Sequence, residues 1–233
     1  MARSKLAWKL ATASLSLLAV LALPAAGQVR KTPRGYSLTA RYRAGTIQKF
    51  KAELAIGGVT DDPKHGLAVA FGVNVAVEKV SRGIASLRLE MGGASPVANL
   101  PIKQQVTRVR VDAHNHVVDA GHSNKSLLAV AYFPKHPVRL NEKWVESATI
   151  PLSGVSGGLV ETTYKLVGVK TDHNKTIANL ALTFEGFARG EGSVLVDCAD
   201  GSVLTSVMTL RVHPSKGQSR LVPLVIVLKR LGR

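Results

Sequence analysis

The run "GLAVAFGVNVAVEKV" at 66–80 constrains the fold more than any other feature of the chain. Leu67, Val69, Phe71, Val73, Val75 and Val77 are large and apolar, whereas Ala68, Ala70, Gly72, Asn74 and Ala76 between them are small or neutral. A helix would scatter that pattern around its axis, but a strand puts every second side chain on one face. One face is therefore a core face, and the other can pack closely or line a cleft. Similar alternation predicts strands at 37–44, 47–57, 83–91, 105–112, 117–120, 144–151, 159–170, 176–186, 193–197, 203–213 and 222–230. Turn signals such as "DDPKHG", "SRG", "TDHNK", "ADG" and "PSKG" separate them. The expected fold class is all-β and antiparallel, a strongly curved sheet or barrel-like body built from two related meanders.

One stretch breaks the rhythm. In "HSNKSLLAVAYFP" an N-cap at Ser123 or Asn124 precedes Leu127, Leu128 and Ala131 at helical spacing, with Pro134 and Pro137 beyond. A short helix near 124–132, packed as a plug on the sheet, is expected there, with another strand as the alternative.

The chain opens as a secretory leader. "MARSKLAWK" is basic, "LATASLSLLAVLAL" is apolar, and "PAAG" supplies small residues for cleavage near Ala26 or Gly27. The apolar run falls short of the ~20 residues of a membrane span. Residues 1–27 thus read as a signal peptide, leaving 28–233 as a single β domain with no transmembrane segment. Loss of Arg3, Lys5 and Lys9 lowers the formal charge from +16 to +13. The single cysteine, Cys198, excludes an intramolecular disulfide, so an exported domain of this kind is held by its core. The expected location is the periplasm or the exterior of a bacterium.

A strongly basic chain suggests polyanion partners, but the lysines and arginines alternate with apolar residues, as in "LTARYRAGTIQKFKAEL", and read as a solvated strand face. Aromatic residues make up only 5%, which argues against stacking on nucleic acid. Anionic envelope polymers or lipid head groups are the more reasonable charged partners.

The halves resemble each other. "IASLRL" at 84–89 matches "IANLAL" at 177–182, and "VRVDAHNHVVDA" at 109–120 aligns without gaps on "VLVDCADGSVLT" at 194–205. An internal duplication spanning 36–120 and 139–213 is expected. In the second hairpin Asp197, Asp200 and Gly201 form a tight turn, with Gly201 at the left-handed position. By the ungapped alignment Asp112 and Asn115 shape the first turn, and His116 takes the glycine position, which histidine tolerates at some cost. A metal site would need His114, His116 and His122 to converge with further ligands. A turn splays the first two, so no metal or other cofactor is expected. Gly154–Gly158 satisfies G-x-S-x-G only by chance, lacking the strand-to-helix setting of a nucleophile elbow. Asp61 and Asp62 read as turn residues and Cys198 as an inert thiol. No residue earns a catalytic role, and a non-enzyme is expected.

The junction "FPKHPVRLNEKW" carries Pro134, Pro137 and Trp144 in a P-x-x-P-V-x-x-G-x-x-W arrangement, with Asn141 in the glycine position. Together with an opening strand from Tyr36 to Gly45 and the later "YKLVGV" at 164–169, it resembles an uncharacterised family of exported bacterial all-β proteins frequent in planctomycete-like genomes. The resemblance implies architecture and location and supplies no reaction. More loosely, the fold is similar to periplasmic lipoprotein carriers, whose curved sheet holds a lipid against a helical plug. The leading expectation is a non-enzymatic envelope protein binding an apolar or amphiphilic ligand, such as a lipid, in the concave face. The alternatives are a structural or interaction domain with a packed core, and a basic surface protein associating with anionic polymers or lipids.

Overall fold

The computed structural model describes residues 27–57, 67–94, 101–119, 131–152, 155–172, 175–212 and 221–232. Strands β1 (Gly27–Thr32) and β2 (Gly35–Ala40) form a separate antiparallel hairpin. Eleven strands form one antiparallel sheet: β3 (Ile47–Ile56), β4 (Leu67–Ser81), β5 (Ile84–Ala94), β6 (Pro101–Val111), β7 (Val117–Asp119), β8 (Lys143–Leu152), β9 (Val155–Asp172), β10 (Lys175–Gly186), β11 (Ala188–Asp197), β12 (Val203–Val212) and β13 (Val222–Arg230). Their order is β7-β6-β5-β4-β3-β13-β12-β11-β10-β9-β8. Every pairing between sequence neighbours is a meander step, and one non-local pairing, β13 on β3, joins the two meanders.

Alternation decides the faces as expected. Along β3 the inner face carries Gln48, Phe50, Ala52, Leu54 and Ile56, and the odd positions of β4 from Val69 to Val77 are all buried. The small residues of β4 point outward, where Ala68, Gly72 and Asn74 are exposed. Leu87 and Leu89 of β5, Leu180 of β10 and Ile226 of β13 complete one contiguous core. Each fully buried Leu or Ile contributes about 1.5–3 kcal/mol over its exposed state.

The sheet curls until its ends meet. His116, just before β7, lies 3.2 Å from Glu146 of β8. A strap from Ala131 to Val138 bridges the same gap. The Phe133 N–H donates to the His114 carbonyl at 3.0 Å on one side, and Trp144 Nε1 donates to the Tyr132 carbonyl at 2.9 Å on the other. Val138 in turn exchanges backbone hydrogen bonds with Tyr36 of β2. The β1–β2 hairpin lies across this end of the curl, tied to Ala113 through Ala40 and to Cys198 through Val29. Leu38, Tyr42 and Phe133 enter the core from these segments. The expected helix at 124–132 lies almost wholly outside the described residues, and of that span only Ala131 and Tyr132 are described, as irregular backbone. Among the described residues this end of the sheet is covered by the β1–β2 hairpin and the strap.

The registers repeat between the halves. Ala85 faces Val111 as Ala178 faces Val196, and Leu87 faces Val109 as Leu180 faces Val194. The ladder slips beside Ser86 and Leu87 in one half and beside Asn179 and Leu180 in the other, the equivalent positions of "IASLRL" and "IANLAL". A second slip follows each turn, skipping Val118 between Val117 and Asp119 and skipping Leu204 between Val203 and Thr205.

These turns correct the ungapped alignment. The left-handed residue of the first turn is Asn115, with φ 68°, and not His116; that of the second is Gly201, with φ 63°. The Asp112 N–H closes on the His116 carbonyl, whereas the Asp197 N–H closes on the Ser202 carbonyl, one residue further on. The second turn is thus one residue longer, Asn115 corresponds to Gly201, and His116 corresponds to Ser202. An asparagine suits the position better than a histidine because its short amide satisfies local groups at positive φ.

Candidate functional site

Both turns lie at the plugged end of the sheet, and each builds a polar cluster there. In the first, Asp112 Oδ1 accepts the N–H groups of His114 and His116 at 2.8 and 2.9 Å. Asn115 is buried and bonded on both sides, since its Oδ1 accepts from the Tyr42 hydroxyl and its Nδ2 donates to the Ala131 carbonyl, each at 2.7 Å. His116 stands between two carboxylates, with Nδ1 3.4 Å from Asp112 and Nε2 3.2 Å from Glu146. Its ring stacks on Tyr132 at 5.4 Å, and Trp144 stacks on Tyr164 at 5.5 Å.

This cluster holds the two ends of the sheet together. His116 spends its opposite ring nitrogens on different partners, a bridging arrangement and not a convergent one. The His114 and His116 rings lie 6.3 Å apart, and His122 lies outside the described residues. Among the described residues no group of three His, Cys, Asp or Glu side chains is arranged to hold a metal ion. Burial pushes the Tyr42 hydroxyl far above its ordinary range, with Asp112 adding to the effect. Burial does the same to Tyr164. Both remain neutral hydrogen-bonding groups. Burial, with Asp197 beside it, pushes the Cys198 thiol up to about 11, which suppresses thiolate chemistry.

The junction residues frame this cluster. Pro134 is buried in the strap and Pro137 half-buried. Asn141 turns the chain with φ 67°, its N–H bonded to the Leu166 carbonyl at 2.7 Å. Trp144 is 7% exposed.

The second turn opens onto a cleft. Asp197 Oδ1 accepts the Ala199 N–H, and Asp200 Oδ1 accepts the Ser202 N–H at 3.0 Å. The Ser202 hydroxyl donates to Asp200 and accepts from Arg230 Nη1, which also lies 3.5 Å from Asp200 Oδ2. Arg230 is thereby held nearly buried, at 14% side-chain exposure. It shares the inward face of β13 with Leu224, Ile226 and Leu228, as Gln48 shares that of β3 with Phe50. The two are therefore the last inward positions before the core ends.

Beyond them lies a cleft of about 470 Å³ whose wall includes Arg41, Arg43, Ile47, Gln48, Asp200 and Arg230. Arg41 and Arg43 flank the buried Tyr42 in the irregular segment between β2 and β3, and both line the cleft. Thr46 fixes the following bend, donating from its hydroxyl to the Arg43 carbonyl at 2.7 Å. Among the described residues that line it, three arginines stand against one carboxylate, which makes this lining electropositive. Gln48 is 8% exposed, and its Oε1 is buried with no hydrogen-bond partner among the described residues.

Sequence reasoning singled out Asp200 as a turn residue and missed the cleft. "ARYRAG" was legible only as a solvated face, and nothing local ties it to Arg230. No protein-family model and no curated protein matches the chain. Among solved structures, it is similar to the crystal structure of Rv2717c from M. tuberculosis, with a TM-score of 0.31 and 10% identity over 81% of this chain and 92% of that one.

Proposed function

We propose that this is an exported, non-enzymatic protein of a bacterial envelope that binds a small amphiphilic ligand at the arginine-lined mouth of its concave sheet. The observation that carries the reading is the cleft of about 470 Å³, where Arg41, Arg43 and Arg230 line the wall with Asp200 as the one carboxylate among the described residues. The concave face behind it is occupied by side chains such as Phe50, Leu54, Leu180 and Ile226, each 1% exposed or less. An apolar tail would therefore lie along the mouth, against Ile47, whose side chain is 62% exposed at the lip. Export is supported by the basic, apolar and small-residue segments of residues 1–27. The same occupied core favours a second reading, a structural or interaction domain of the envelope.

Native mass spectrometry of the protein purified from its own organism, before and after organic extraction, tests the binding reading. An adduct that leaves on extraction is expected. A clean unliganded mass from that source overturns the reading and leaves the structural one.

A further inference from the structure

We infer that the head group taken by this cleft is an oxyanion that also carries a hydrogen-bond donor, as a phosphomonoester does. The inference rests on the binding reading of the same cleft and names what that reading leaves open. Guanidinium groups match the planar edge of a phosphate or carboxylate with paired N–H donors, which an ammonium cannot do. Arg230 is already oriented by Ser202 and Asp200, so little of its side-chain freedom is lost on binding. Arg41 and Arg43 form no ion pair with a described carboxylate, and both line the cleft on either side of the anchored Tyr42.

Charge alone would accept any anion, and Gln48 adds the discrimination. Gln48 lines the cleft at the last inward position of β3, and its Oε1 is a buried acceptor with no donor among the described residues. A buried acceptor left unsatisfied is costly, so a ligand that brings an O–H to this position is favoured over one that brings only oxygens. A protonated phosphate has such an O–H and a sulfate does not. The lip residue Ile47 faces the apolar part of an amphiphile. The site thus reads an anionic, O–H-bearing head on a short apolar stem.

The test is calorimetric titration at low salt and about pH 6, where phosphomonoesters retain much of their second proton. The probes are inorganic phosphate, sulfate, decyl phosphate below its micelle concentration, and decanol. Phosphate is expected to bind more tightly than sulfate, although sulfate carries the larger charge. The Arg41→Ala/Arg43→Ala variant is expected to lose about tenfold in phosphate affinity, a discounted figure for exposed charges. Gln48→Leu, which keeps the buried volume, is expected to abolish the preference while sulfate binding persists. Circular dichroism melting checks that each variant remains folded. Equal binding of phosphate and sulfate by the native protein overturns the donor-reading role of Gln48. Binding of decyl phosphate and decanol alike, unaffected by the arginine substitutions, overturns the head-group inference and leaves the binding reading standing. Failure of all four probes overturns both.

Discussion

The Tyr42–Asn115 hydrogen bond joins the segment leading into β3 to the turn between β6 and β7, and its removal has a calculable consequence. Tyr42 is 9% and Asn115 2% exposed, and the 2.7 Å bond between them is buried. Tyr42→Phe keeps the ring and deletes only the donor, leaving Asn115 Oδ1 buried and unsatisfied. Such a deletion costs about 1–3 kcal/mol, since the acceptor loses its partner without regaining water. For a domain of this size a loss of ~2 kcal/mol corresponds to a fall in Tm of roughly 4–8 °C. Asn115→Gly removes both side-chain bonds while tolerating the φ of 68°. In that background the Tyr42 hydroxyl is itself the orphan, so Tyr42→Phe should be close to neutral or slightly stabilising. A double-mutant cycle by urea denaturation therefore yields a coupling energy of about 1–3 kcal/mol. If Tyr42→Phe costs the same in both backgrounds, within ~0.5 kcal/mol, the two residues are uncoupled and the account of this turn is wrong.

Further outcomes follow from the same geometry. Tyr42 and Tyr164 hold their protons more firmly folded than unfolded, where they titrate near 10.0, so their contribution is complete below that pH and lost as pH rises above it. Alkaline titration followed at the phenolate absorbance should therefore show these two ionising together with unfolding; ionisation of every tyrosine before any loss of β circular dichroism would contradict their burial. Cys198, 6% exposed and with its thiol raised to about 11, should react with a disulfide reagent at neutral pH only in denaturant. Rapid labelling of the native protein would refute that. Gly35 has φ 135°, and a methyl group there would overlap the Val138 carbonyl with which β2 pairs. Gly35→Ala should cost more than ~2 kcal/mol, whereas the open, exposed Gly232→Ala should stay within ~0.5 kcal/mol in the same melt.

Much of the sheet was legible because period-two alternation is a local property. The inward set Val69 to Val77, the left-handed Asn141 and the buried Trp144 all follow from residue type and immediate neighbours. The turn at 112–116 was harder. Asp112 and Asp197 announce similar turns, but the loops differ by one residue, and an ungapped match cannot register that. The true equivalence of Asn115 with Gly201 rests on backbone hydrogen bonds and the slip after each turn. The β1–β2 hairpin was not legible either. "QVRKTPRGYSLTA" reads as a strand with a leading tail, and only docking against Ala113, Val138 and Cys198 makes it a hairpin across the end of the sheet.

The sequence by itself determined the class of fold, the antiparallel meanders and the face on which each side chain lies, because those properties depend on spacing along a single strand. It left open what gathers at the end of the body. Arg41 and Arg43 stand near the beginning of the sheet and Arg230 near the end of the chain, and they meet only because β13 pairs with β3. Likewise His116 reaches Glu146 only because eleven strands curl until the first and last come together. Strand periodicity says which way a side chain points. Long-range pairing alone says what it points at, and both the latch and the cleft were decided there.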